Sequence, residues 1–574
     1  MRSNYRKSTA SRPSTPLMDA FDKITAQLIA PGGGFDVVEE EVLGQRMQVF
    51  AGRKRSLREV LADSALHGDA EYIVSGDRRI SYAEHYRMVC STAAALRDEY
   101  KIRPGDRVAI LAENHPEWLV TFWATVSLGA VVSALNGWWK SEEIRHSLEL
   151  TTPRVLVADE KRLDRLGDAL AAAPGIATIK IETDFEQLVN YAPDVGLPET
   201  PIAEDDPAII LFTSGTTGRS KGAVNTHRGV CGFLSNSMLH GFRNVMLAAE
   251  EGIPGESDPP ATCALMTVPL FHMSGLYTGG LMMMAAGAKT VWRLGAFDPE
   301  DVLRLIEKER ITIWAGLGSM APRVLGHPRL HDYDLSSLRN LGSGGAPTTP
   351  ETQARMRDLV PNGEQGVGLG YGSSETVVPV TMTGGRELAR HPLSVGRVMP
   401  TQQVEIRNDS GDALPDGEDG EIFVRSPYLM LEYWGQPEAT REAIHPGRWL
   451  ATGDIGHLLD GRLYINSRAR DLILRAAENI YPVEIERRLE AHPAVEEAAV
   501  IGVEHAELGQ EVKAIVVLTA GDSAATTETP TSEELAAWCA ETMATFKVPS
   551  LWQLRSEPLP RNAAGKVLKI ELES

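Results

Sequence analysis

The sequence predicts an α/β protein built of layered sheets, with an antiparallel β region and a compact α+β unit towards its C-terminus. Residues 80–158 alternate short apolar runs with segments of helical periodicity, which is the pattern of a layered sheet. Residues 380–450 contain short alternating runs separated by Gly, Asp and Pro, which is typical of antiparallel strands. Residues 484–518 read as one helix followed by two strands.

Length and composition are those of an ordinary globular protein. The 574 residues are 43% hydrophobic and 24% charged, which is enough chain for roughly three to four domain-sized units. The 57 basic and 78 acidic residues give a net charge of −21. Because no stretch concentrates basic residues, binding to bulk DNA or RNA is not expected. The cysteines have no paired spacing, which predicts neither a disulfide framework nor a zinc cluster and fits a reducing compartment; they are Cys90, Cys231, Cys263 and Cys539.

Three segments bear on targeting and on surface loops. The first sixteen residues are basic and rich in Ser, Thr and Pro, but no signal-peptide core follows them, so we expect a flexible extension. The apolar run 276–288 is too short and too interrupted by glycine to span a bilayer, and we expect a buried helix there and no transmembrane segment. Residues 243–262, with Pro254, Gly255, Pro259 and Pro260, predict a surface loop.

The first elements can be taken in order along the chain. A polar start at residues 80–84 followed by apolar residues at helical spacing predicts a helix. The turn at residues 104–106 leads into a strand over 108–111. Another short apolar run predicts a strand at 155–158.

The most informative stretch is 212–222, which reads Phe-Thr-Ser-Gly-Thr-Thr-Gly-Arg-Ser-Lys-Gly and follows the apolar run 208–211. Its glycines allow backbone N–H groups to approach an anion, and its hydroxyls and Lys221 add donors and charge. The spacing of a Walker loop is absent, and the apolar residues after Gly222 predict a second strand. A plain polar hairpin loop is the alternative. The residues that would hold a polyphosphate are Thr213, Ser214, Gly215, Thr216, Thr217, Gly218 and Lys221.

This loop closely resembles the signature of the adenylate-forming superfamily, which comprises acyl-CoA synthetases, nonribosomal adenylation enzymes and beetle luciferases. The resemblance extends over nearly all of residues 75–574. It implies a partly flexible N-terminal extension at 1–50, a large adenylation domain at 51–469 that binds ATP and acid, and a small mobile α+β domain at 470–574. The large domain would consist of layered α/β subdomains and a small β-barrel-like subdomain.

Two further glycine-rich passages resemble the superfamily's adenine site. Residues 341–347 are similar to its Ser-Gly-Gly-Ala-Pro segment, against which adenine lies flat, and the residues concerned are Gly344, Gly345, Ala346 and Pro347. Residues 370–376 are similar to its Tyr-Gly-x-Thr-Glu motif. The resemblance implies that Tyr371, followed by Gly372, stacks on adenine, and that Ser374 contacts the α-phosphate in place of the usual threonine. Glu375 would hold Mg²⁺, a role that suits a hard oxygen ligand.

Further positions follow from the same resemblance. Asp454, in a Thr-Gly-Asp sequence, is either a turn residue or the carboxylate that accepts the ribose hydroxyls, and the resemblance favours the second interpretation. Arg468 would contact ribose and phosphate, and Arg470 would form the hinge between the two domains.

The acid site is less well specified. A lone histidine such as His272 is more often structural than chemical, but in the superfamily an aromatic or histidine at this place lines the acyl pocket and gates entry of the thiol. Small residues would leave room in that pocket for a bulky, aryl or medium-to-long-chain acid; the predicted lining is Met273, Gly316, Leu317, Gly318 and Ser373.

The C-terminal part carries one departure and one strong match. The superfamily's two glycines beside the pantetheine path are here Ala476 and Ala477, followed by Glu478, so the methyl groups could narrow the route or stiffen the loop. The tail 560–566 resembles Pro-Arg-x-x-x-Gly-Lys, and this makes Lys566 the candidate catalytic residue for adenylation rather than a solvated charge.

The resemblance implies an acid–CoA ligase that uses ATP, Mg²⁺ and CoA on a hydrophobic carboxylic acid in the cytoplasm, and it is compatible with a homodimer. Phe271-His272 replaces the Phe-Asp pair of amino-acid-activating enzymes, which disfavours that branch. An amide-forming or carrier-loading acyl-adenylate enzyme stays open because of the two alanines. A non-catalytic nucleotide-binding protein is disfavoured because Lys221 and Lys566 are both present.

Overall fold

The structure is a computed structural model of the chain. It describes residues 19–167, 175–213, 220–253, 255, 259–316, 320–343, 348–361, 363–468, 471–475, 478–505, 508–519, 530–562 and 566–572. In these ranges the α-helices are α1 (Ala20–Ile29), α2 (Leu57–Ser64), α3 (Tyr82–Asp98), α4 (Pro116–Ser127), α5 (Ser141–Thr151), α6 (Glu160–Leu166), α7 (Phe185–Val189), α8 (His227–Glu250), α9 (Met283–Ala285), α10 (Pro299–Glu309), α11 (Met320–Leu325), α12 (Pro350–Leu359), α13 (Gly385–Arg390), α14 (Pro437–Ala443), α15 (Pro482–Glu490) and α16 (Ser532–Ala540), and a π-helix spans Ser274–Met282.

The strands are β1 (Val37–Val42), β2 (Gln45–Phe50), β3 (Glu71–Ser75), β4 (Arg78–Ser81), β5 (Arg107–Leu111), β6 (Val131–Ala134), β7 (Val155–Ala158), β8 (Ala177–Lys180), β9 (Pro207–Thr213), β10 (Lys221–Thr226), β11 (Cys263–Met266), β12 (Lys289–Trp292), β13 (Ile313–Ala315), β14 (Asn340–Ser343), β15 (Val367–Tyr371), β16 (Thr381–Gly384), β17 (Ser394–Val398), β18 (Gln403–Arg407), β19 (Gly420–Arg425), β20 (Ile444–His445), β21 (Trp449–Leu459), β22 (Arg462–Arg468), β23 (Ile473–Arg475), β24 (Glu478–Ile480), β25 (Val495–His505), β26 (Gly509–Leu518) and β27 (Leu551–Arg555).

The first large sheet has the strand order β10-β9-β6-β5-β7-β8. Its strands run parallel except for β10, which forms an antiparallel hairpin with β9. The central strands are apolar and buried along their whole length, as expected for a parallel sheet covered on both faces. The strands expected at 108–111 and 155–158 are confirmed as β5 and β7, and the strand expected after Gly222 is confirmed as β10.

The second large sheet has the order β18-β19-β21-β22-β17-β16-β15-β14-β13-β11-β12-β3-β4, and β20 pairs with β21. In this order the strands from β15 to β3 are parallel to one another. The edge strand β4 and the strands from β16 to β18 pair antiparallel with their neighbours. The antiparallel strands expected between residues 380 and 450 are therefore present, and they continue the parallel sheet. The C-terminal sheet, β24-β23-β26-β25 with β27 on β26, carries α15 and α16. The predicted mixed α/β fold, with a large N-terminal part and a small C-terminal part, is confirmed.

Two helices show where local sequence decides an element and where it misleads. The helix expected from residue 80 begins at Tyr82, because the Ser81 hydroxyl accepts a hydrogen bond from the N–H of Glu84. The surface loop expected at 243–262 is wrong at its start, since α8 continues to Glu250. No proline interrupts α8, and Met246 and Leu247 pack partly buried against the main hydrophobic core, so packing keeps this segment helical.

Residues 19–50 contain a helix and a β-hairpin, whereas the sequence predicted only a partly flexible extension over residues 1–50. Helix α1 packs on α8, where the Phe21 ring lies 4.0 Å from the guanidinium carbon of Arg243. Arg53 pairs with Glu40 and Glu204 and so joins the β1–β2 hairpin to the segment that leads into β9. In the described ranges, no helix combines the length and hydropathy needed to cross a membrane. The apolar run 276–288 forms the buried helix that was expected, largely as the π-helix.

Candidate active site

The ends of β9 and β10 frame the predicted phosphate loop. In the register of this hairpin Lys221 lies opposite Thr213, so the two residues flank the intervening loop. The loop residues Ser214, Gly215, Thr216, Thr217 and Gly218 lie outside the described residues. The hairpin therefore fixes the two ends of the predicted polyphosphate site.

A second chain segment pairs with β10 and brings an aromatic side chain to Lys221. The N–H of Val224 donates to the carbonyl of Glu432 at 2.9 Å, and the N–H of Trp434 donates to the carbonyl of Gly222 at 2.8 Å. Between these bonds, the ring of Tyr433 lies 5.0 Å from the Lys221 ammonium. This cation–π contact orients the ammonium without neutralising its charge.

The same tyrosine holds the predicted metal ligand. The Tyr433 hydroxyl donates to Glu375 Oε1 at 2.9 Å, and the carbonyl of Glu375 accepts a hydrogen bond from the N–H of Met430 at 2.9 Å. Burial, together with the Glu375 carboxylate, raises the pKa of Tyr433, so the phenol stays a neutral donor. No described residue donates to Glu375 Oε2. The donor set, one hard carboxylate oxygen beside a phosphate site, fits Mg²⁺.

The backbone around Glu375 is tightly wound. The N–H of Ser373 donates to Thr376 Oγ1 at 2.8 Å, and the N–H of Val378 donates to the Thr376 carbonyl at 2.7 Å. The second bond closes a γ-turn around Val377, whose φ is 64°. A positive φ is a genuine outlier for a β-branched residue and costs on the order of 1–3 kcal/mol. Val377 is fully buried, and its packing holds this conformation.

Two predicted nucleotide residues meet in a direct hydrogen bond. The Tyr371 hydroxyl donates to Asp454 Oδ2 at 2.7 Å, and Asp454 is buried at 5% exposure. Gly453 has φ 69°, and its N–H donates to Glu421 Oε1 at 3.1 Å, so the turn before Asp454 requires glycine. Arg468 lies opposite Asp454 in the β21–β22 register. The predicted adenine residues Gly344, Gly345, Ala346 and Pro347 lie outside the described residues.

His272 lies at the end of a loop that the Asn114 side chain holds with two hydrogen bonds. The Asn114 side chain donates to the Val268 carbonyl at 3.0 Å and accepts from the Leu270 N–H at 2.8 Å. Burial lowers the pKa of His272 to about 4, and its Nε2 is buried without a hydrogen-bond partner among the described residues. The ring is therefore neutral near pH 7, and Met273 follows it at the start of the π-helix.

The predicted acyl-pocket lining is partly described. A Cβ on Gly316 would lie 2.8 Å from the N atom of Ala321, so only glycine fits where β13 approaches α11. Leu317 and Gly318 lie outside the described residues, whereas Ser373 is in the tight turn beside Glu375. The glycine at 316 is thus explained by backbone packing as well as by room for a ligand.

Lys566 lies on a hairpin of the C-terminal unit. Its N–H donates to Asn562 Oδ1 at 2.9 Å, and Arg561 bridges to Val567. The hairpin is tied to β25 by an Arg561–Glu497 ion pair. The turn that follows it is tied to α15 by Lys569, whose Nζ lies 2.6 Å from Glu486 Oε1. Glu478 begins β24, and the predicted hinge and loop residues Arg470, Ala476 and Ala477 lie outside the described residues.

A cavity that the sequence did not reveal adjoins the His272 loop. It has a volume of about 340 Å³, and Phe271 and Pro269 form part of its wall. The rest of the wall is rich in cations and indoles, among them Trp138, Trp139, Lys140, Lys161, Arg165 and Arg293. These cations come from different parts of the chain, and their scattered positions left no motif.

Two comparisons place the site in a family. Family models for "AMP-binding enzyme" and "AMP-binding enzyme C-terminal domain" match residues 61–434 and 484–566. A feruloyl-CoA synthase from Amycolatopsis sp is 35% identical over 500 residues, which is 87% of this chain and 94% of that protein.

Solved structures agree with these matches. ATP-bound MatB from Rhodopseudomonas palustris has a TM-score of 0.77 at 28% identity, covering 90% of this chain and 98% of that one. The amide bond synthetase McbA from Marinactinospora thermotolerans has a TM-score of 0.74 at 26% identity, covering 90% and 99%. The resemblance stated from the motifs is thereby confirmed. The chain belongs to the AMP-binding enzyme family.

Proposed function

We propose that the protein is an ATP-dependent acid–CoA ligase. It converts a carboxylic acid and ATP to acyl-AMP and pyrophosphate, and then acyl-AMP and CoA to acyl-CoA and AMP. The observation that carries this proposal is the convergence of Lys221, Tyr433 and Glu375 on one edge of the site, together with the Tyr371–Asp454 pair. The similarity to a feruloyl-CoA synthase supports the choice of CoA as acceptor.

The chemistry explains why such a site is needed. A carboxylate is a poor electrophile, so its oxygen first attacks the α-phosphorus of ATP while the bond to the pyrophosphate oxygen breaks. Positive charge and hydrogen bonds around the phosphates stabilise that transition state. Lys221 and the hydroxyls of the 213–218 loop hold the departing pyrophosphate, and Tyr371 and Asp454 hold adenine and ribose. Mg²⁺ on Glu375 supplies charge that neutralises phosphate oxygens when it is bound.

Lys566 acts in the first half-reaction only. Its ammonium bridges the attacking carboxylate and the α-phosphate. We propose that residues 470–574 then rotate relative to 51–469 about Arg470, which removes Lys566 and brings the 475–481 loop to the acyl-AMP. The CoA thiolate attacks the acyl carbon, and AMP leaves. Ser374, Gly372 and the backbone of 344–347 complete the nucleotide site, with Arg468 at the ribose.

The acid is hydrophobic in this proposal. His272 is neutral near pH 7, Met273 follows it, and the adjoining π-helix is apolar. A neutral, weakly polar wall favours a fatty, aryl or other bulky organic acid over a second carboxylate or an amino acid. The acid named for the Amycolatopsis relative, ferulic acid, is of the aryl type.

The cation-lined cavity beside Phe271 would receive the phosphates of CoA. It adjoins the loop that ends in His272, at which thiol entry is proposed. Lys161 is 72% exposed, and its ion pair with Glu113 is long, at 3.9 Å, so its charge is available to a polyanion. Trp138, half exposed, offers a face for a base. This assignment supports CoA as the acceptor over a small amine.

An amide-forming enzyme is the second candidate. The structural similarity to the amide bond synthetase McbA and the Ala476-Ala477 sequence favour it. Both candidates share the first half-reaction, and they differ only in the acceptor that attacks acyl-AMP.

One experiment separates the two candidates. Acids from acetic to octadecanoic, benzoic, cinnamic and ferulic acid are incubated with the protein, ATP and Mg²⁺, and acyl-AMP is trapped with hydroxylamine. The best acids are then assayed with CoA and with amines by chromatography. We expect trapped acyl-AMP and a CoA thioester. Acyl-AMP with no thioester, but with an amide, would favour the alternative, and no AMP release with any acid would refute catalysis by adenylation.

We also propose that the enzyme works in the cytoplasm, which its four buried, unpaired cysteines suit. A homodimer would cover the apolar face that Met238, Phe242 and Val245 expose on α8. Light scattering after size exclusion tests this, and a mass near 62.5 kDa would show a monomer instead.

A further inference from the structure

A buried hydrogen-bonded relay joins the π-helix to the backbone beside Glu375. The Tyr277 hydroxyl, in the middle of the π-helix, donates to Asn225 Oδ1 at 2.6 Å. The Asn225 amide then donates to the carbonyl of Ser374 at 3.0 Å. Both side chains are fully buried. The relay therefore connects the helix that follows His272 to the turn that carries Glu375, the proposed metal ligand.

These polar groups are costly to bury unless they are paired. A buried amide or phenol without a partner costs about 1–3 kcal/mol, and the neighbours of Asn225 in β10 are apolar or small. In this relay the Asn225 side-chain oxygen accepts from Tyr277, and the Asn225 side-chain nitrogen donates to Ser374. Burial raises the pKa of Tyr277 well above its usual value, so the phenol remains a proton donor. A donor at Oδ1 fixes the amide so that its NH₂ group faces Ser374.

The relay holds the Ser374 carbonyl, next to the groups of Glu375 that Tyr433 and Met430 hold. The Glu375 carboxylate is held by Tyr433, and the Glu375 carbonyl is held by the Met430 N–H. The preceding carbonyl, that of Ser374, is held by Asn225. Successive carbonyls are thus anchored to different segments, which sets the direction of both the Ser374 hydroxyl and the Glu375 carboxylate. The relay adds to the packing that holds the positive φ of Val377, two residues after Glu375.

We propose that Asn225 and Tyr277 are positioning residues that hold the Ser374–Glu375 backbone in the orientation in which it binds MgATP. Neither side chain touches substrate, and both act through the Ser374 carbonyl. The inference rests on the proposed function, because it takes Ser374 and Glu375 as the groups that meet the phosphate and the metal.

Three variants separate the parts of the relay. Asn225→Asp keeps an oxygen that accepts the hydrogen bond from Tyr277. It replaces the NH₂ group with a second oxygen, which cannot donate to the Ser374 carbonyl. Tyr277→Phe removes only the group that orients the amide. Asn225→Leu removes both bonds. Matched controls are Tyr82→Phe, whose hydroxyl donates to the Ala288 carbonyl at 2.8 Å, and Asn236→Leu, whose amide donates to the Gly232 carbonyl at 2.9 Å.

The measurements are the dissociation constant of MgATP by calorimetry, kcat and the KM values for ATP and acid in pyrophosphate exchange, and Tm. Losing one such bond corresponds to roughly tenfold in an equilibrium constant. We expect about tenfold weaker MgATP binding in Asn225→Asp and about threefold in Tyr277→Phe, with the KM for acid changed less than twofold. Tyr277→Phe should add nothing in the Asn225→Leu background. The controls should lower Tm only.

Unchanged MgATP affinity in folded variants with a lowered Tm would show a merely structural role and overturn the proposal. So would equal effects in the controls. Wild-type protein that shows no acid-dependent pyrophosphate exchange would refute the proposed function and the positioning role together, whereas wild-type exchange with unaffected variants refutes the positioning role alone.

Discussion

The edge of the site around Glu375 and the hairpin around Lys566 are held in contrasting ways. Glu375 is held by Tyr433 and Met430 of one chain segment, and the preceding Ser374 carbonyl is held by Asn225 of another. The adjoining backbone keeps a strained φ at Val377. The Lys566 hairpin is fixed within the C-terminal unit by Arg561, which pairs with β25, and by Lys569, which pairs with α15. One region is braced within the large α/β part, and the other is braced within the C-terminal unit.

This difference fits the division of labour proposed for the two regions. Groups that bind phosphates and metal gain from being held before the substrate arrives, because preorganised charge needs no rearrangement in the transition state. A lysine needed for one half-reaction can leave when it is attached to a unit that moves as a body. Substitutions in the two regions should therefore affect different steps.

The largest effect is expected from Lys566→Ala. Removing the ammonium from the attacking carboxylate and α-phosphate should lower adenylation at least 100-fold, while MgATP affinity stays within about threefold because Lys221 and Glu375 remain. Hydroxylamine trapping measures the first quantity and calorimetry the second.

Lys547→Ala is the matched control, since Lys547 is a C-terminal lysine paired with Glu484 at 2.6 Å. We expect near-normal adenylation in this variant. Retained adenylation in Lys566→Ala would remove the role assigned to that lysine.

A smaller effect is expected from Tyr433→Phe. The ring under Lys221 remains, and only the hydrogen bond to Glu375 is lost. Losing one hydrogen bond to a charged group corresponds to roughly tenfold, which should appear as a higher Mg²⁺ concentration at half-maximal adenylation. Tyr333→Phe removes a similar bond, to Glu300 at 2.9 Å, far from these residues in the chain. An equal shift in Tyr333→Phe would show that the effect does not arise at Glu375.

A still smaller effect is expected from Lys161→Ala at the cation-lined cavity. Because Lys161 is largely exposed, screening limits its contribution, and we expect the KM for CoA to rise about two- to fivefold. Adenylation without CoA should not change. Lys308→Ala, on α10, is the control. A change in pyrophosphate exchange in Lys161→Ala would contradict a role confined to CoA.

The free energy of unfolding of the C-terminal unit should also depend on pH. Burial and the nearby Glu486 carboxylate raise the pKa of Glu490 from 4.5 to about 8. The folded state therefore holds this proton more tightly than the unfolded state, so the free energy of unfolding should fall as the pH rises from 4.5 to 8. At pH 8, Glu490→Gln should raise that free energy by on the order of 1–3 kcal/mol.

Glutamine keeps the oxygen that accepts the Ala498 N–H. Denaturant unfolding at several pH values checks this expectation. Glu541→Gln, at an exposed ion pair, is the control and should change little. An unaltered pH slope in Glu490→Gln would contradict the assignment.

Much of this arrangement was readable from local sequence. The β9–β10 hairpin and the C-terminal helix and strands each depend on a short continuous pattern. Resemblance then suggested roles for Tyr371, Asp454, Glu375 and Lys566 that their spacing alone could not.

The hydrogen bonds that hold the Ser374–Glu375 turn could not be predicted from the sequence, because they join residues that are distant in the chain. Tyr433 reaches Glu375 only because residues 431–434 pair with β10. Asn225 lies in a strand and Tyr277 in an apolar helix, and neither position forms a motif. Strand order and the continuation of α8 to Glu250 likewise depend on tertiary packing.

The most direct test of the contrast between the two regions is the second half-reaction of Lys566→Ala, started from a chemically prepared acyl-adenylate and CoA. Because the proposal assigns Lys566 to adenylation only, we expect acyl-CoA to form within about tenfold of the wild-type rate, although the same variant makes adenylate from acid and ATP at least 100-fold more slowly. Loss of both half-reactions would contradict the account, because the lysine would then serve the whole cycle rather than one step.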